Sequence, residues 1–189
     1  MNCYRIDRRP VHVAENYADP RASNRRQPTA LLMDKTEIFQ AILSVFRATL
    51  ADHEKAAGAA RESASGDEVS SDGKYDTRAT ESSYLARGHA MQYEAMVGEL
   101  RTLEAYRVPQ YEPDEEIGTG ALVEVKVGRA KAFYFILPSG GGTEALVRKT
   151  SVIAINARSP AGKEFKGKCA GASFQIPGAK SKGEISSVS

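Results

Sequence analysis

Two stretches, FQAILSVFRATLADHEKAAGAARESA (residues 39–64) and ATESSYLARGHAMQYEAMVGELRTL (residues 79–103), decide the fold of this chain. In the first, a seam steps by four and three through Phe39, Leu43, Phe46, Leu50, His53, Ala57, Ala60 and Ala64. In the second it runs through Ala79, Ser82, Ala86, His89, Tyr93, Met96, Leu100 and Leu103. Heptad spacing of this kind lines up one narrow stripe on each of two packed helices. The stripes mirror each other about Ser71, which sets Phe39 opposite Leu103, Phe46 opposite Met96 and His53 opposite His89. The expectation is an antiparallel coiled-coil hairpin over residues 33–108, with its tip near 66–78.

Side chains shrink along the seam. Phe39, Leu43, Phe46 and Leu50 face Leu103, Leu100, Met96 and Tyr93 at the base, and alanine and serine dominate farther out. Small seam residues bring the helices closer and slim the distal arm, at the expense of buried apolar area. From Phe39 to Asp67 the arm spans on the order of 40 Å at about 1.5 Å per residue. Asp34 or Thr36 caps the first helix and Asp76 or Thr77 the second, and Gly66, Ser70, Ser71, Asp72 and Gly73 supply the bend. Asp67, Glu68, Asp72 and Asp76 thereby gather at the tip. Acids beside a helix start are ordinary caps and dipole partners, so the residues alone leave a capping and a functional role both open. His53 and His89 lack the further ligands of a zinc site, because Asp52 and Glu54 point off the seam; packing is their expected role.

Charge divides the 189 residues sharply although the net is only +2. Residues 1–32 carry six basic and three acidic residues (+3), residues 33–116 nine and seventeen (−8), and residues 117–189 eleven and four (+7). An acidic arm thus precedes a basic end. Two cysteines, Cys3 and Cys169, build neither a disulfide framework nor a cysteine-rich metal site. No apolar run approaches the roughly 20 residues that span a bilayer, so a cytoplasmic protein is expected. Residues 1–32, rich in arginine, proline and asparagine, are expected to be a disordered extension.

Val108-Pro109 ends the second helix and residues 109–116 form an acidic linker. Beyond it, residues 121–127 and 131–137 alternate as strands around Gly128-Arg129, and Val152–Ile155 is a third short strand. Pro138-Ser-Gly-Gly-Gly142 lacks the lysine and hydroxyl of a phosphate-binding loop and reads as a flexible turn. A closing hairpin is expected from residues 173–176 and 183–188 around Pro177-Gly178. The class is α+β, the helical hairpin followed by a small, mostly antiparallel β domain over residues 117–189. This half contains no histidine, which leaves classical nucleophilic catalysis unsupported.

The acidic-tipped hairpin, the strand IGTGALVEV (117–125) and the segment INARSPAGKEFKGKCAGASFQIP (155–177) together resemble the Gre-type bacterial transcription elongation factors, over about residues 34–189. Ser159-Pro160, Gly167-Lys168 and Phe174–Ile176 stand at the family's C-terminal motif, and Gly66-Asp67 at its tip; position 70 is serine where the family carries glutamate. The resemblance implies an FKBP-like C-terminal domain docking on bacterial RNA polymerase through Ser159, Pro160, Lys163, Phe165 and Lys168. It implies a monomeric factor, not itself an enzyme, whose arm enters the secondary channel beside nascent RNA. It has no cofactor of its own. Asp67, Glu68, Asp72 and Asp76 would assist the magnesium of the polymerase active centre in cleaving backtracked RNA, with Asp67 and Asp72 sharing the metal. Binding that modulates or inhibits the polymerase without cleavage remains an alternative, as does an FKBP-like chaperone or prolyl isomerase module.

Overall fold

The computed structural model describes residues 34–70, 77–112, 115–177 and 182–189. Helices α1 (Lys35–Ser70) and α2 (Thr77–Ala105) are followed by strands β1 (Leu122–Val127), β2 (Ala130–Leu137), β3 (Glu144–Val147) and β4 (Thr150–Asn156). A six-residue helix, α3 (Pro160–Phe165), then leads to β5 (Ser173–Phe174) and β6 (Gly183–Val188). The strands form one sheet in the order β3-β4-β2-β1-β6-β5. Strands β2 and β4 run parallel and the other neighbours antiparallel. The α+β class, a helical hairpin followed by a β sheet, is the one the sequence predicts.

Asp34 caps α1, its Oδ1 accepting from the Thr36 amide at 2.8 Å. Leu43, Phe46, Met96, Leu100 and Leu103 pack together at the base, and Arg47 of α1 pairs with Glu104 of α2 at 2.8 Å. A methyl group on Gly140 would lie 2.8 Å from Leu103 Cδ1 and 3.6 Å from Phe46 Cδ2, so the 138–142 loop packs onto both helices at the base. Helix α1 runs on to Ser70 and α2 begins at Thr77.

The base of the hairpin lies on one face of the sheet. Ile38 and Ile42, one turn apart and off the predicted seam, are fully buried with Leu122, Phe135, Leu137, Val152 and Ala154. Phe39 stands edge-on to Phe135 at 6.3 Å and to Tyr106 at 6.1 Å between ring centres. Each fully buried aliphatic side chain contributes about 1.5–3 kcal/mol, so this contact joins arm and sheet firmly. Alternation along the strands sends Val123, Val125 and Ile136 to the opposite face, under Phe165 of α3 and beside Phe174, Ile185 and Val188. Beyond the base the arm stands clear of the sheet: Tyr84, Leu85 and Met91 of α2 are exposed.

Strand β3 was not evident in the sequence, since Glu-Ala-Leu is helix-forming and four residues carry little periodicity. Its pairing with β4 supplies the order, burying Ala145 and Val147 against the hairpin base.

Candidate functional site

Asp67 and Glu68 belong to the last turn of α1, at the end of the arm away from the sheet. From Phe46, the last buried aromatic at the base, to Asp67 the helix rises about 30 Å at about 1.5 Å per residue. The side chains of Asp67 and Glu68 and the whole of Asp72, Tyr75 and Asp76 lie outside the described residues. Along the outer seam His53 and His89 are half-buried and Ala57 is buried. Among the described residues His89 Nδ1 has no hydrogen-bond partner, and no group of three metal-binding side chains occurs.

What holds the arm is a set of polar contacts around the apolar base. The Lys35 side chain, only 7% exposed, donates to the Pro109 carbonyl at 2.7 Å and stands 4.8 Å above the Tyr111 ring. Burial lowers its pKa from the ordinary lysine value, partly offset by the Glu115 charge. Glu37 pairs with Arg148 at 2.6 Å across the β3–β4 turn. Glu99 of α2 reaches the 138–142 loop, where one carboxylate oxygen accepts from the Ser139 hydroxyl at 3.0 Å and the Gly140 amide at 2.9 Å. The loop is tied to its neighbours. Gly142 N donates to Ala154 O and Ala154 N to Thr143 O, both at 2.8 Å, and Gly140 adopts φ +70, a conformation glycine enters freely.

The docking motif surrounds α3. Ser159 is its N-cap, accepting from the Gly162 amide at 3.0 Å and donating to the Asn156 carbonyl at 2.7 Å, and Pro160 opens the helix. Gly162 is forced by contact: a methyl group there would meet Asn156 O at 2.2 Å. Lys163 is exposed. Lys168 donates to Glu164 and, at 3.0 Å, to the Ser173 carbonyl; the Lys168 bond, followed by one from the Gln175 amide at 3.2 Å, lowers the Glu164 pKa. Phe165 is corrected as a contact residue. It is 0% exposed, its ring 4.8 Å from that of Phe174 and 5.6 Å from that of Tyr134, so it anchors α3 to the sheet and leaves no side-chain surface for docking.

A cleft of about 260 Å³ opens beside α3, with Ile117, Ile136 and Pro138 at its walls and Arg158 and Lys166 at its rim. Neither cation stood out in the sequence, where each is one among many in a basic stretch. Only the turn through Asn156–Ser159 and the end of α3 bring them together.

Fold and site thus define an α+β protein in which a long helical arm is fastened by its base to a six-stranded sheet. No family model matches the chain, and no curated protein matches it. Among solved structures it is similar to GreA factor homolog 1 (Gfh1) of Thermus thermophilus, with 15% identity, 79% of this chain and 95% of that chain covered, and a TM-score of 0.33. It is likewise similar to a structure of the transcription factor Gfh1 (19% identity, 78% and 93% covered, TM-score 0.32) and to Thermus aquaticus Gfh1 (17%, 79% and 94%, 0.32).

Proposed function

We propose that this chain is a Gre-like factor that binds bacterial RNA polymerase, carries its arm into the secondary channel and acts there through tip carboxylates. The observation that carries this reading is the arm. Helices of 36 and 29 residues are fastened to the sheet at their base alone, and the acidic sequence DEVSSDGKYD (67–76) joins their far ends. The Gre-like motif of residues 155–177 gives the arm an anchor, with Ser159, Pro160, Lys163 and Lys168 as the docking residues.

In this reading Asp67, Glu68, Asp72 and Asp76 stand beside the polymerase's magnesium, which needs few protein carboxylates because it keeps several waters. They would help hold that metal, which would supply charge stabilisation, and would orient the attacking water. Water would add to phosphorus as the bond to the upstream 3′ oxygen breaks, that oxygen gaining a proton and the released fragment keeping the phosphate. The chain has no cleavage activity of its own and works in the cytoplasm. Ser70, standing where the family has glutamate, favours a second reading in which the factor occupies the channel and inhibits or modulates synthesis without cleavage.

Stalled, backtracked elongation complexes supplied with magnesium and the purified chain test both. Release of short 3′ RNA fragments, lost when the four tip acids become their amides, is the expected result; slowed synthesis without fragments, reversed by the same variant, selects the second reading. Absence of any association with polymerase at low salt overturns the class.

A further inference from the structure

We infer that Glu99 and the 138–142 loop set the angle at which the arm leaves the sheet, making Glu99 a positioning residue for the arm tip. Apolar burial attaches the base strongly, but it is non-directional, so Ile38 and Ile42 on the sheet resist separation better than they resist tilting. A hydrogen bond has a preferred length and direction. Glu99 supplies two, at 3.0 and 2.9 Å, from a point on α2 six residues above its end at Ala105. They converge on one carboxylate oxygen, and a charged acceptor makes them stronger than neutral ones.

The receiving loop is suited to hold a position. Its backbone is tied to β4 through Gly142, Thr143 and Ala154. Gly140 packs so closely that an added methyl group would come within 2.8 Å of Leu103, and one on Gly141 within 2.8 Å of the Asn156 amide nitrogen. Ser139, the other donor, is itself buried. Movement of α2 therefore has to break the Glu99 contacts or displace a strand.

Leverage makes the contact matter. From Glu99 to the start of α2 at Thr77 is about 33 Å at about 1.5 Å per residue, so a 10° tilt at the base moves the far end by about 6 Å. Misplacing a reacting group by about 1 Å can cost about a hundredfold in rate. The angle is a property of the free chain; its consequence at an active centre rests on the polymerase reading proposed above.

Spin labels on unnatural amino acids at the exposed positions Arg61 and Arg129 of the full chain report the arm-to-sheet distance without involving the native cysteines. The wild type should give one narrow distribution. Glu99→Ala and Ser139→Ala should each shift or widen it by about 3 Å or more, half the lever estimate, whereas Glu99→Gln keeps an acceptor and should restore the narrow form. Distributions for Glu99→Ala and Ser139→Ala that superimpose on the wild type, at a temperature where circular dichroism shows full helicity, overturn the inference; should Glu99→Ala fail to fold, Ser139→Ala carries the same test. With polymerase, Glu99→Ala should lower the tip-dependent effect at saturating factor by about tenfold or more, with little change in the half-saturating concentration. The converse, weaker binding with a full effect at saturation, contradicts positioning. The distance needs no polymerase, so failure of the polymerase reading and failure of this one are told apart.

Discussion

Gly140 and Leu103 form a pair whose coupling follows from their geometry. Leu103 is fully buried where α2, α1 and the 138–142 loop meet, and Leu103→Ala should destabilise the protein by about 2–5 kcal/mol through lost burial and a residual cavity. Gly140→Ala incurs two costs of different origin. The φ of +70 strains a residue with a Cβ by about 1–2 kcal/mol whatever surrounds it. The new methyl also lies 2.8 Å from Leu103 Cδ1, an overlap worth about 1–3 kcal/mol. In the double variant the overlapping atom is gone and the methyl enters the vacated space, so the steric part disappears while the backbone part stays. The combined loss should fall short of the sum of the two by about 1 kcal/mol or more. Urea unfolding of the full chain measures this, followed by far-ultraviolet circular dichroism and by tyrosine fluorescence, since the chain has no tryptophan. Coincident transitions license the two-state free energies. Losses that add to within about 0.3 kcal/mol would refute the packing described for this junction.

Phe165→Ala should cost about 3–5 kcal/mol, whereas Lys163→Ala, at an exposed position of α3, should stay within about 0.5 kcal/mol and, on the polymerase reading proposed above, weaken polymerase binding instead; equal thermal stability of the two variants would contradict their assignment. Lys35 predicts a pH effect of defined sign. Its folded-state pKa lies below its unfolded value, so between the two the unfolded chain binds more protons and stability rises with pH. Chemical denaturation from neutral pH upward should therefore show the wild type gaining on Lys35→Met as pH climbs toward the ordinary lysine pKa, and a gap that stays constant or reverses would sink the account.

The hairpin was legible because it is local. Steps of four and three from Phe39 to Ala64 and from Ala79 to Leu103 are a property of one helix at a time, and the strands around Gly128-Arg129 and the closing hairpin before Val188 carry their own alternation. Ile38 and Ile42 were visible as apolar residues but not as a second face, because nothing in a periodicity says which surface will meet it. Phe165 reads as an exposed member of a basic motif until Phe174 and Tyr134 are brought around it from distant strands.

By itself, the sequence determined two amphipathic helices, their acidic junction, the alternating strands and the separation of charge, all of which depend on residues close together along the chain. The tertiary structure alone decided that the hairpin base shares a core with one face of the sheet, that Glu99 is held by the 138–142 loop, and that Arg158 and Lys166 rim one cleft. The first two join residues tens of positions apart, and the third sets two nearby cations beside Ile117 and Ile136 from distant segments; all rest on shape and hydrogen-bond geometry that no local pattern encodes.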